Sequence, residues 1–295
     1  MGRMPTYQHV CGLPMPAGFP VEALRSAFEF SPGEGDVVLA TYPKCGTTWM
    51  QHILHMLHHG GSAIDGDSSV RELVPHLEEM GAAFVDALPP PRLIKTHLHA
   101  SPKLLNEKAR YVLVFRNPFD CAVSFFHHTR GFVKHYDFAD GTFDDFIELF
   151  IAGQVDFGDY FSHVRSWLDV ADRSNVFLTT FERMKGDLIG EVAKLGDFLG
   201  GPAARAVSDR GMLQQIVDDA SFNSMARQQQ RWSSARPAGT TAFVRKGVVG
   251  DWRAHFSARP LRLLRDRTHT QLNGSVLLQD WAAVIDEVNR VCEEG

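Results

Sequence analysis

One stretch near the amino terminus constrains the fold more than any other part of the chain. The apolar run Asp36–Thr41 passes into the loop Tyr42-Pro43-Lys44-Cys45-Gly46-Thr47-Thr48, and an amphipathic segment over residues 49–58 follows. A short apolar run, a glycine-containing loop and a helical period in succession are typical of a strand that enters a helix through a tight turn. This order predicts one strand–loop–helix unit of an α/β fold.

Three further apolar runs repeat the strand signal. Arg92–Thr96, Arg110–Phe115 and Asn175–Thr180 read as strands, and helices are expected over residues 119–128 and from the last strand through Leu199. Apolar strands separated by helices predict a central parallel sheet with helices on both faces. Ligands of such sheets bind beyond the carboxyl ends of the strands, where the polar residues between these elements fall.

We expect the whole chain, residues 1–295, to form a single α/β domain, since neither an internal repeat nor a linker interrupts it. Residues 1–30 are rich in proline and glycine and predict an irregular arm with a short helix around Val21–Phe28. Ser233–Thr241 reads as a loop.

The loop after the first strand has the composition of a phosphate cradle. Gly46 lets the backbone approach an anion closely, and the helix that follows offers unpaired N–H groups and a positive dipole end. Thr47 and Thr48 add hydroxyl donors, and Lys44 adds a full charge. The alternative is a plain strand–helix turn in which the threonines only cap the helix.

This loop is not the loop of the nucleoside triphosphatases. Those loops place the lysine after the last glycine, whereas Lys44 precedes Gly46 by two residues. A small-molecule kinase, the runner-up interpretation, also needs a carboxylate for magnesium at a strand end. Neither Lys95-Thr96-His97 nor Arg116-Asn117-Pro118 supplies one.

Charge and hydropathy narrow the class of protein. The net charge is −5, which gives no sign of a general affinity for nucleic acid or anionic membranes, so an anion site must be built locally. Hydrophobic residues make up 44% of the chain, enough for a sizeable core. Neither a secretory signal nor an apolar run of membrane-spanning length is visible, and we expect a cytoplasmic location.

Cysteine and histidine spacing predicts no metal site. The four cysteines, Cys11, Cys45, Cys121 and Cys292, stand far apart, a pattern that fits a reducing compartment. Four histidines crowd together at positions 52, 55, 58 and 59, and they read as partly solvated positions on one helix. Since no carboxylate or thiol completes a ligand set there, we expect no metal.

Five motifs, in order along the chain, resemble those of the cytosolic sulfotransferases. Tyr42–Trp49 resembles their 5′-phosphosulfate loop, and Lys95-Thr96-His97 resembles their catalytic Lys-Thr-His segment. The other matches are Arg116-Asn117-Pro118 with Ser124, Phe181-Glu182-Arg183-Met184-Lys185, and Phe243-Val244-Arg245-Lys246-Gly247 with Gly250-Asp251-Trp252. These motifs run from residue 36 to residue 256. The resemblance implies a P-loop-like nucleotide-binding core and transfer of a sulfuryl group from 3′-phosphoadenosine 5′-phosphosulfate (PAPS) to a hydroxyl group, leaving the product PAP.

The resemblance implies a role for each matching residue. His97 corresponds to the general base, Lys95 to the lysine that orients the sulfuryl group, and Lys44 to the cation at the leaving phosphate. Imidazole suits the first role because it titrates near neutral pH. The residues implied to bind the nucleotide, with Trp49 and Phe222 on the two faces of the adenine, are Lys44, Cys45, Gly46, Thr47, Thr48, Trp49, Arg116, Ser124, Phe181, Ser221, Phe222, Arg245, Lys246 and Gly247.

The chain departs from the family pattern at two nucleotide positions and in one assembly motif. Cys45 replaces the usual serine, so one hydroxyl contact weakens, and Phe181 stands where tyrosine is common, so a hydrogen bond to the adenine is lost. The family's dimerisation motif, Lys-x-x-x-Thr-Val-x-x-x-Glu, here reads Arg253, then Ser257-Ala258, then Arg262. Since we see no acid to offset the arginines, we expect a monomer, or a dimer through another surface.

The resemblance and the aromatic composition imply an apolar pocket for a small hydroxyl acceptor. Its expected side chains are Phe19, Phe84, His97, Phe132 and His135. Small phenols are the expected acceptors, ahead of phenolic monoamines and steroids. A charged amine needs a carboxylate in the pocket, for which Asp86 and Asp137 are candidates. A relative that holds the nucleotide without turnover remains an alternative.

Overall fold

Six strands, eighteen α-helices and one 3₁₀ helix are present in the computed structural model of the protein, within the residues that it describes, 3–64, 69–232 and 242–294. The strands are β1 Tyr7–Val10, β2 Leu13–Pro16, β3 Val37–Ala40, β4 Leu93–Thr96, β5 Arg110–Phe115 and β6 Val176–Thr180. The first helices are α1 Val21–Glu29, α2 Thr47–His58, α3 Val70–Leu73, α4 Leu77–Met80, α5 Ala82–Asp86, α6 Pro118–Gly131, α7 Val133–Tyr136, α8 Phe143–Ile151 and α9 Tyr160–Leu168. The later helices are α10 Phe181–Gly186, α11 Leu188–Leu199, α12 Gly201–Ser208, α13 Arg210–Asp219, α14 Phe222–Ala226, α15 Gln229–Trp232, the 3₁₀ helix Asp251–Ala254, α16 Ala258–Leu272, α17 Val276–Asp280 and α18 Ala282–Glu294.

The four apolar runs form one parallel sheet with the strand order β4-β3-β5-β6. Val37, at the start of β3, lies opposite both Leu93 of β4 and Arg110 of β5. Helix α2 follows β3 and helix α6 follows β5, as the alternation of apolar runs and amphipathic segments requires. The predicted α/β fold with a central parallel sheet is confirmed.

Each face of the sheet is buried in a separate hydrophobic core. Val38 and Ala40 of β3 point into a core that contains residues of α6, α8, α9 and α16. Their neighbours Val37 and Leu39 point into a second core formed with α2, α11 and α12. Successive side chains of a strand alternate between faces, so a strand that is apolar at every position must be covered on both sides.

The amino-terminal arm is more regular than its composition predicts. Strands β1 and β2 pair as an antiparallel hairpin, and the two residues between them, Cys11 and Gly12, both have positive φ angles, 51° and 80°. Two positive φ angles suit the right-handed twist of a two-residue hairpin. Prolines 14 and 16 are tolerated because a two-stranded ribbon has edges that need no N–H donor.

The hairpin is fixed to the rest of the molecule by backbone hydrogen bonds. Thr6 donates its N–H to the carbonyl of Tyr136 in α7 at 2.7 Å. Phe157 donates to the carbonyl of Pro14 at 2.9 Å. The arm therefore packs against α7 and the loop after α8, and the predicted helix at residues 21–28 is α1.

The structure corrects two further expectations and leaves a third outside its range. The helix expected from β6 through Leu199 is divided into α10 and α11, because the side chain of Asp187 accepts the N–H of Gly190 and begins a new helix. His52 and His55 are buried, rather than partly solvated, and only His59 of that group is exposed. The loop expected at Ser233–Thr241 lies outside the described residues.

Membrane-spanning helices and clusters of metal-binding side chains are both absent from the described residues. Within the described ranges, none of the helices combines the length and apolarity needed to cross a membrane. In the same part of the chain, no three histidine, cysteine, aspartate or glutamate side chains gather into a set that could hold a metal ion.

Candidate active site

A cleft of about 320 Å³ opens at the carboxyl ends of the parallel strands, where a sheet of this kind binds its ligands. It brings together residues that are distant in the sequence. The predicted site residues that line it are Phe19, Lys44, Gly46, Thr47, Thr48, Trp49, Lys95, His97, Arg116, Ser124, Phe132, His135, Phe181, Phe222, Arg245, Lys246 and Gly247. The structure does not bring Cys45, Phe84 and Ser221 to the lining.

The loop between β3 and α2 forms the floor of the cleft. Gly46 has a φ angle of +99°, which a glycine adopts at little cost, and a Cβ atom there would lie 3.2 Å from the ring of Phe181. Helix α2 begins at Thr47 without a side-chain cap, and the Thr47 hydroxyl shares a hydrogen bond with the hydroxyl of Thr41 at 2.7 Å. The first N–H groups of α2 therefore remain available to an anion, and the capping alternative is not what the structure shows.

Cys45 lies in this loop, but its side chain points into the core. Its thiol is fully buried, and its Sγ lies 3.8 Å from the Sγ of Cys121 in α6. The expectation that residue 45 contributes its side chain to the nucleotide site is therefore corrected, because the thiol packs behind the loop.

Two other predicted contacts also differ. Ser221 is the cap of α14, where its hydroxyl accepts the N–H of Ser224 at 3.2 Å, so it positions the neighbouring Phe222 instead of lining the cleft. Phe84 lies in the short helix α5, half-buried and away from the lining. The expectation that Phe84 contacts the acceptor is therefore not supported by its position.

His97 follows strand β4 directly and is held from two sides. Its Nδ1 lies 2.7 Å from the carbonyl oxygen of Thr41, which can only accept a hydrogen bond, so Nδ1 carries the proton. Its backbone N–H donates to Oε1 of Glu78 at 2.5 Å, and the hydroxyl of Thr96 donates to the same oxygen at 2.9 Å. These contacts fix the ring and leave Nε2 as the unprotonated nitrogen.

Burial and nearby charge set the protonation of this strand end. Burial, and then the charge of Lys95, lower the pKa of His97 well below its ordinary value. Burial lowers the pKa of Lys95 to about 8, although Glu79 and Glu78 oppose that shift. Burial raises the pKa of Glu78 to about 7. At neutral pH the strand end therefore carries a neutral imidazole beside a protonated lysine.

At the other end of the cleft, cationic side chains lie around the loop between β3 and α2. Arg116 is buried, donates to the carbonyls of Val248 at 3.0 Å and Lys44 at 3.4 Å, and stacks 4.3 Å above the ring of Phe181. Arg245 and Lys246 both contact the carboxylate of Asp251, with Lys246 Nζ at 2.5 Å from Oδ1. These guanidinium groups are held in place before any ligand arrives, which suits a phosphate grip.

An aromatic slot adjoins these cations. The ring of Trp49 lies edge-on to Phe181 with centroids 5.5 Å apart, and its indole N–H donates to the carbonyl of Ala220 at 2.8 Å. Phe222 approaches Gly247 so closely that a Cβ atom there would lie 2.5 Å from the ring. Flat apolar walls beside a phosphate grip suit a nucleotide base.

Comparison with known proteins identifies the family of this chain. Residues 34–276 match the family described as the sulfotransferase domain. The chain belongs to the sulfotransferase family. Sulfotransferase 1A1 of Bos taurus is 32% identical over 292 residues, 94% of this chain and 96% of that protein. Sulfotransferase 1C2 of Homo sapiens is 32% identical over 78% of this chain and 80% of its own length.

Two solved structures resemble this chain in fold. Mouse sulfotransferase SULT7A1, complexed with PAP, superposes with a TM-score of 0.74 at 26% identity, over 95% of this chain and 98% of that chain. Retinol dehydratase in a complex with retinol and PAP superposes with a TM-score of 0.77 over 92% and 91% of the two chains, at 22% identity, and shows the fold alone.

The half of the cleft in which the acceptor is predicted to bind, here called the acceptor half, combines aromatic and polar side chains. Phe19, from the amino-terminal arm, and Phe132, from the end of α6, form part of it, and His135 lies edge-on to Phe19 with centroids 5.9 Å apart. Asp86 and Asp137, the candidate carboxylates, are exposed and pair with Arg92 and Arg3. Neither of these aspartates lines the cleft, so those two candidates are corrected.

Sequence reasoning missed several residues of the acceptor half. The cleft is also lined by Arg71, His76, Glu79, Tyr136 and Phe157. Residues 75 and 76 run beside β4, where Pro75 accepts the N–H of Lys95 at 2.9 Å, and this contact places the following helix α4 at the cleft. The available sequence signal was the polar cluster His76, Glu78 and Glu79 on the amino-terminal side of the predicted strand Arg92–Thr96, but no periodicity marked which side chains face inward.

Proposed function

We propose that the protein transfers the sulfuryl group of PAPS to the hydroxyl of a small acceptor, a phenol or a phenolic monoamine, and releases PAP. The observation that carries the proposal is the state of His97, a buried neutral imidazole whose Nδ1 is engaged by Thr41 and whose Nε2 is unprotonated. An imidazole held in this way is a general base. Its neighbours Lys95 and Lys44 supply positive charge along the same cleft.

In the proposed reaction the acceptor oxygen forms a bond to sulfur while the bond from sulfur to the 5′-phosphate oxygen breaks. His97 takes the hydroxyl proton at Nε2, and Lys95 orients the sulfuryl group by its charge. Lys44 and the first N–H groups of α2 offset the charge that builds up on the departing phosphate. Arg116, Ser124, Arg245, Lys246 and Gly247 are proposed to hold the 3′-phosphate.

The alternatives are weakened to different degrees. Membership of the sulfotransferase family displaces the kinase interpretation. A non-catalytic relative would not need the catalytic side chains, whereas Lys44, Lys95 and His97 all line one cleft. The cytoplasmic location and the absence of nucleic-acid and membrane partners stay predictions from the sequence.

Sulfate transfer from ³⁵S-labelled PAPS to a panel of phenols, phenolic amines and sterols tests the proposal. We expect labelled product with at least one phenol, and we expect the rate to persist in EDTA because the proposed chemistry uses only protein cations. Labelled ATP serves as the control donor and should transfer nothing. Phosphoryl transfer from ATP, or a rate that EDTA abolishes and magnesium restores, would contradict the proposal.

The pH dependence of kcat/KM for PAPS follows from the two pKa shifts. Because the pKa of His97 is lowered well below its ordinary value, the base stays neutral and competent through the neutral range. Because the pKa of Lys95 is lowered to about 8, its charge is present below that pH and is lost as the pH rises through it. We expect kcat/KM to be level near neutral pH and to fall above about pH 8.

Lys95→Arg separates this explanation from a general alkaline inactivation. Arginine keeps its charge throughout the range, so in the variant the alkaline fall should move to higher pH even if the rate is lower. An unchanged alkaline fall in Lys95→Arg would assign it to another group.

The carboxyl-terminal arginines are less isolated than the sequence suggests. Arg253 pairs with Glu287, Arg259 with Glu148 at 3.0 Å, and Arg265 with Asp266 at 2.8 Å. The expectation that no acid offsets these charges is therefore corrected for these residues. The prediction that this chain does not form the family's dimer now depends mainly on two differences. Ser257-Ala258 replaces the usual Thr-Val, and Arg262 replaces the usual glutamate.

We predict a monomer, or a dimer through another surface, at micromolar concentration. Sedimentation equilibrium of the native protein and of Arg262→Glu measures this, since the variant restores the acid that the family motif has. A native dimer that Ser257→Trp disrupts would contradict the prediction.

A further inference from the structure

The charges that line the cleft are strongly unequal. Among the described lining residues, seven side chains are cationic and a single one, Glu79, is a carboxylate. Apart from Arg71, which pairs with Glu79, these cations suit the nucleotide, because phosphate and sulfuryl groups need positive charge. A carboxylate in such a cleft repels that same ligand, so the position of Glu79 calls for a separate explanation.

Glu79 belongs to the acceptor end. It is placed in helix α4 immediately beside Glu78, which holds the backbone of His97. One oxygen, Oε2, lies 3.8 Å from Nδ1 of His76, and the ring of His76 lies edge-on to the ring of His97 with centroids 4.9 Å apart. One histidine ring therefore separates the carboxylate from the catalytic base.

Arg71, the ion-pair partner of Glu79, does not occupy both oxygens of its carboxylate. Arg71 contacts only Oε1, at 2.7 Å, and the arginine side chain is 51% exposed while that of Glu79 is 20% exposed. An ion pair with a solvated arginine contributes little, because water screens the two charges. Glu79 therefore keeps its second oxygen, Oε2, for a group inside the cleft.

The neighbouring histidines do not satisfy the carboxylate either. Burial lowers the pKa of His76 well below its ordinary value, and burial lowers the pKa of His135 as well. Both rings are neutral at pH 7, so the positive charges near Glu79 are those of Arg71 and Lys95.

We propose that Glu79 determines acceptor specificity: it binds a positively charged substituent, such as a protonated amine, on the acceptor whose hydroxyl meets His97. This inference rests on the proposed function and ranks cationic hydroxyl compounds above neutral ones as its acceptors. The aromatic side chains Phe19, Phe132 and Phe157 pack against the apolar body of such an acceptor, and Arg71 competes with its cation for the carboxylate.

Tyramine and 4-propylphenol provide the test, because they differ only in an ammonium group that replaces a methyl group. The dissociation constant of each is measured by calorimetry on the protein saturated with PAP, so the result does not depend on turnover. We expect native protein to prefer tyramine, and Glu79→Gln to reduce the ratio of the two affinities by roughly 10- to 100-fold, the loss of one charge-assisted contact. Arg71→Gln removes the competitor and should raise the same ratio.

Glu72→Gln is the matched control, since Glu72 is an exposed acid in the neighbouring helix α3, and its ratio should equal that of native protein. A ratio near one in native protein, or equal ratios in native protein and Glu79→Gln, would overturn the inference. The proposed function is judged separately, by ³⁵S transfer from PAPS to 4-propylphenol, which carries no charge for Glu79 to recognise.

Discussion

Replacing His97 by alanine is expected to lower turnover by roughly 10²–10⁴-fold, the usual contribution of a general base, while PAP still binds. The expectation follows from the hydrogen bond between Nδ1 and the Thr41 carbonyl, which leaves Nε2 as the nitrogen able to take a proton. The nucleotide cations lie at the other end of the cleft, so their grip should persist. Steady-state sulfate transfer and calorimetry with PAP measure the two quantities.

A glutamine at position 97 distinguishes chemistry from structure. His97→Gln can still donate a hydrogen bond to Thr41 but cannot accept and release a proton near neutral pH, so it should lose as much turnover as the alanine variant. His99→Ala, two residues further along, is the control and should keep native turnover, because His99 does not line the cleft. Near-native turnover in His97→Gln would reject the role of base.

Arg245→Ala should weaken PAP binding by roughly 10- to 150-fold, which corresponds to the loss of a hydrogen bond to a charged group. The structure adds a second contribution to that loss. Asp251 is balanced by Arg245 and Lys246 together, and hydrogen bonds from both cations hold its pKa below the ordinary value despite burial, which alone would raise it. Without Arg245, part of the Asp251 charge would face the 3′-phosphate directly.

Adenosine 5′-phosphate, which is PAP without its 3′-phosphate, isolates the contact. It should bind native protein weakly and should not distinguish native protein from Arg245→Ala. Arg259→Ala, which removes an exposed arginine paired with Glu148, should bind PAP as native protein does. Equal weakening of both nucleotides by Arg245→Ala would show that Arg245 supports the fold of the cleft instead of the 3′-phosphate.

The sheet and its phosphate loop could be predicted because local sequence determines them. Runs such as Arg110–Phe115 are apolar at every position, and only a strand covered on both faces accommodates that pattern. Gly46 and the two threonines after it mark a strand–helix turn whatever surrounds it. The positions of Lys95, His97 and Arg116 at the cleft followed from the same pattern, since each lies at or just beyond the end of a strand.

The acceptor half could not be predicted in the same way. Its residues come from the hairpin, from short helices and from loops, and none of these has a period that shows which side chains face inward. Phe84 and Glu79 illustrate the difficulty: the aromatic residue turns away from the cleft, whereas the acid lines it. Cys45 shows that even within a recognised loop a side chain can be directed by packing, here against Cys121.

The amino-terminal hairpin closes the proposed acceptor end of the cleft and packs Val10 and Met15 into the core on one face of the sheet. Pro16 and Phe19 line the cleft, and a few backbone hydrogen bonds, from Thr6 to Tyr136 and from Phe157 to Pro14, seat the ribbon there. The part of the cleft proposed to bind the nucleotide, in contrast, follows directly from strands β3 and β5. Its structure cannot change unless the hydrophobic core changes as well. A hairpin grafted from another sulfotransferase is therefore expected to change the acceptor preference while the loop between β3 and α2 stays in place.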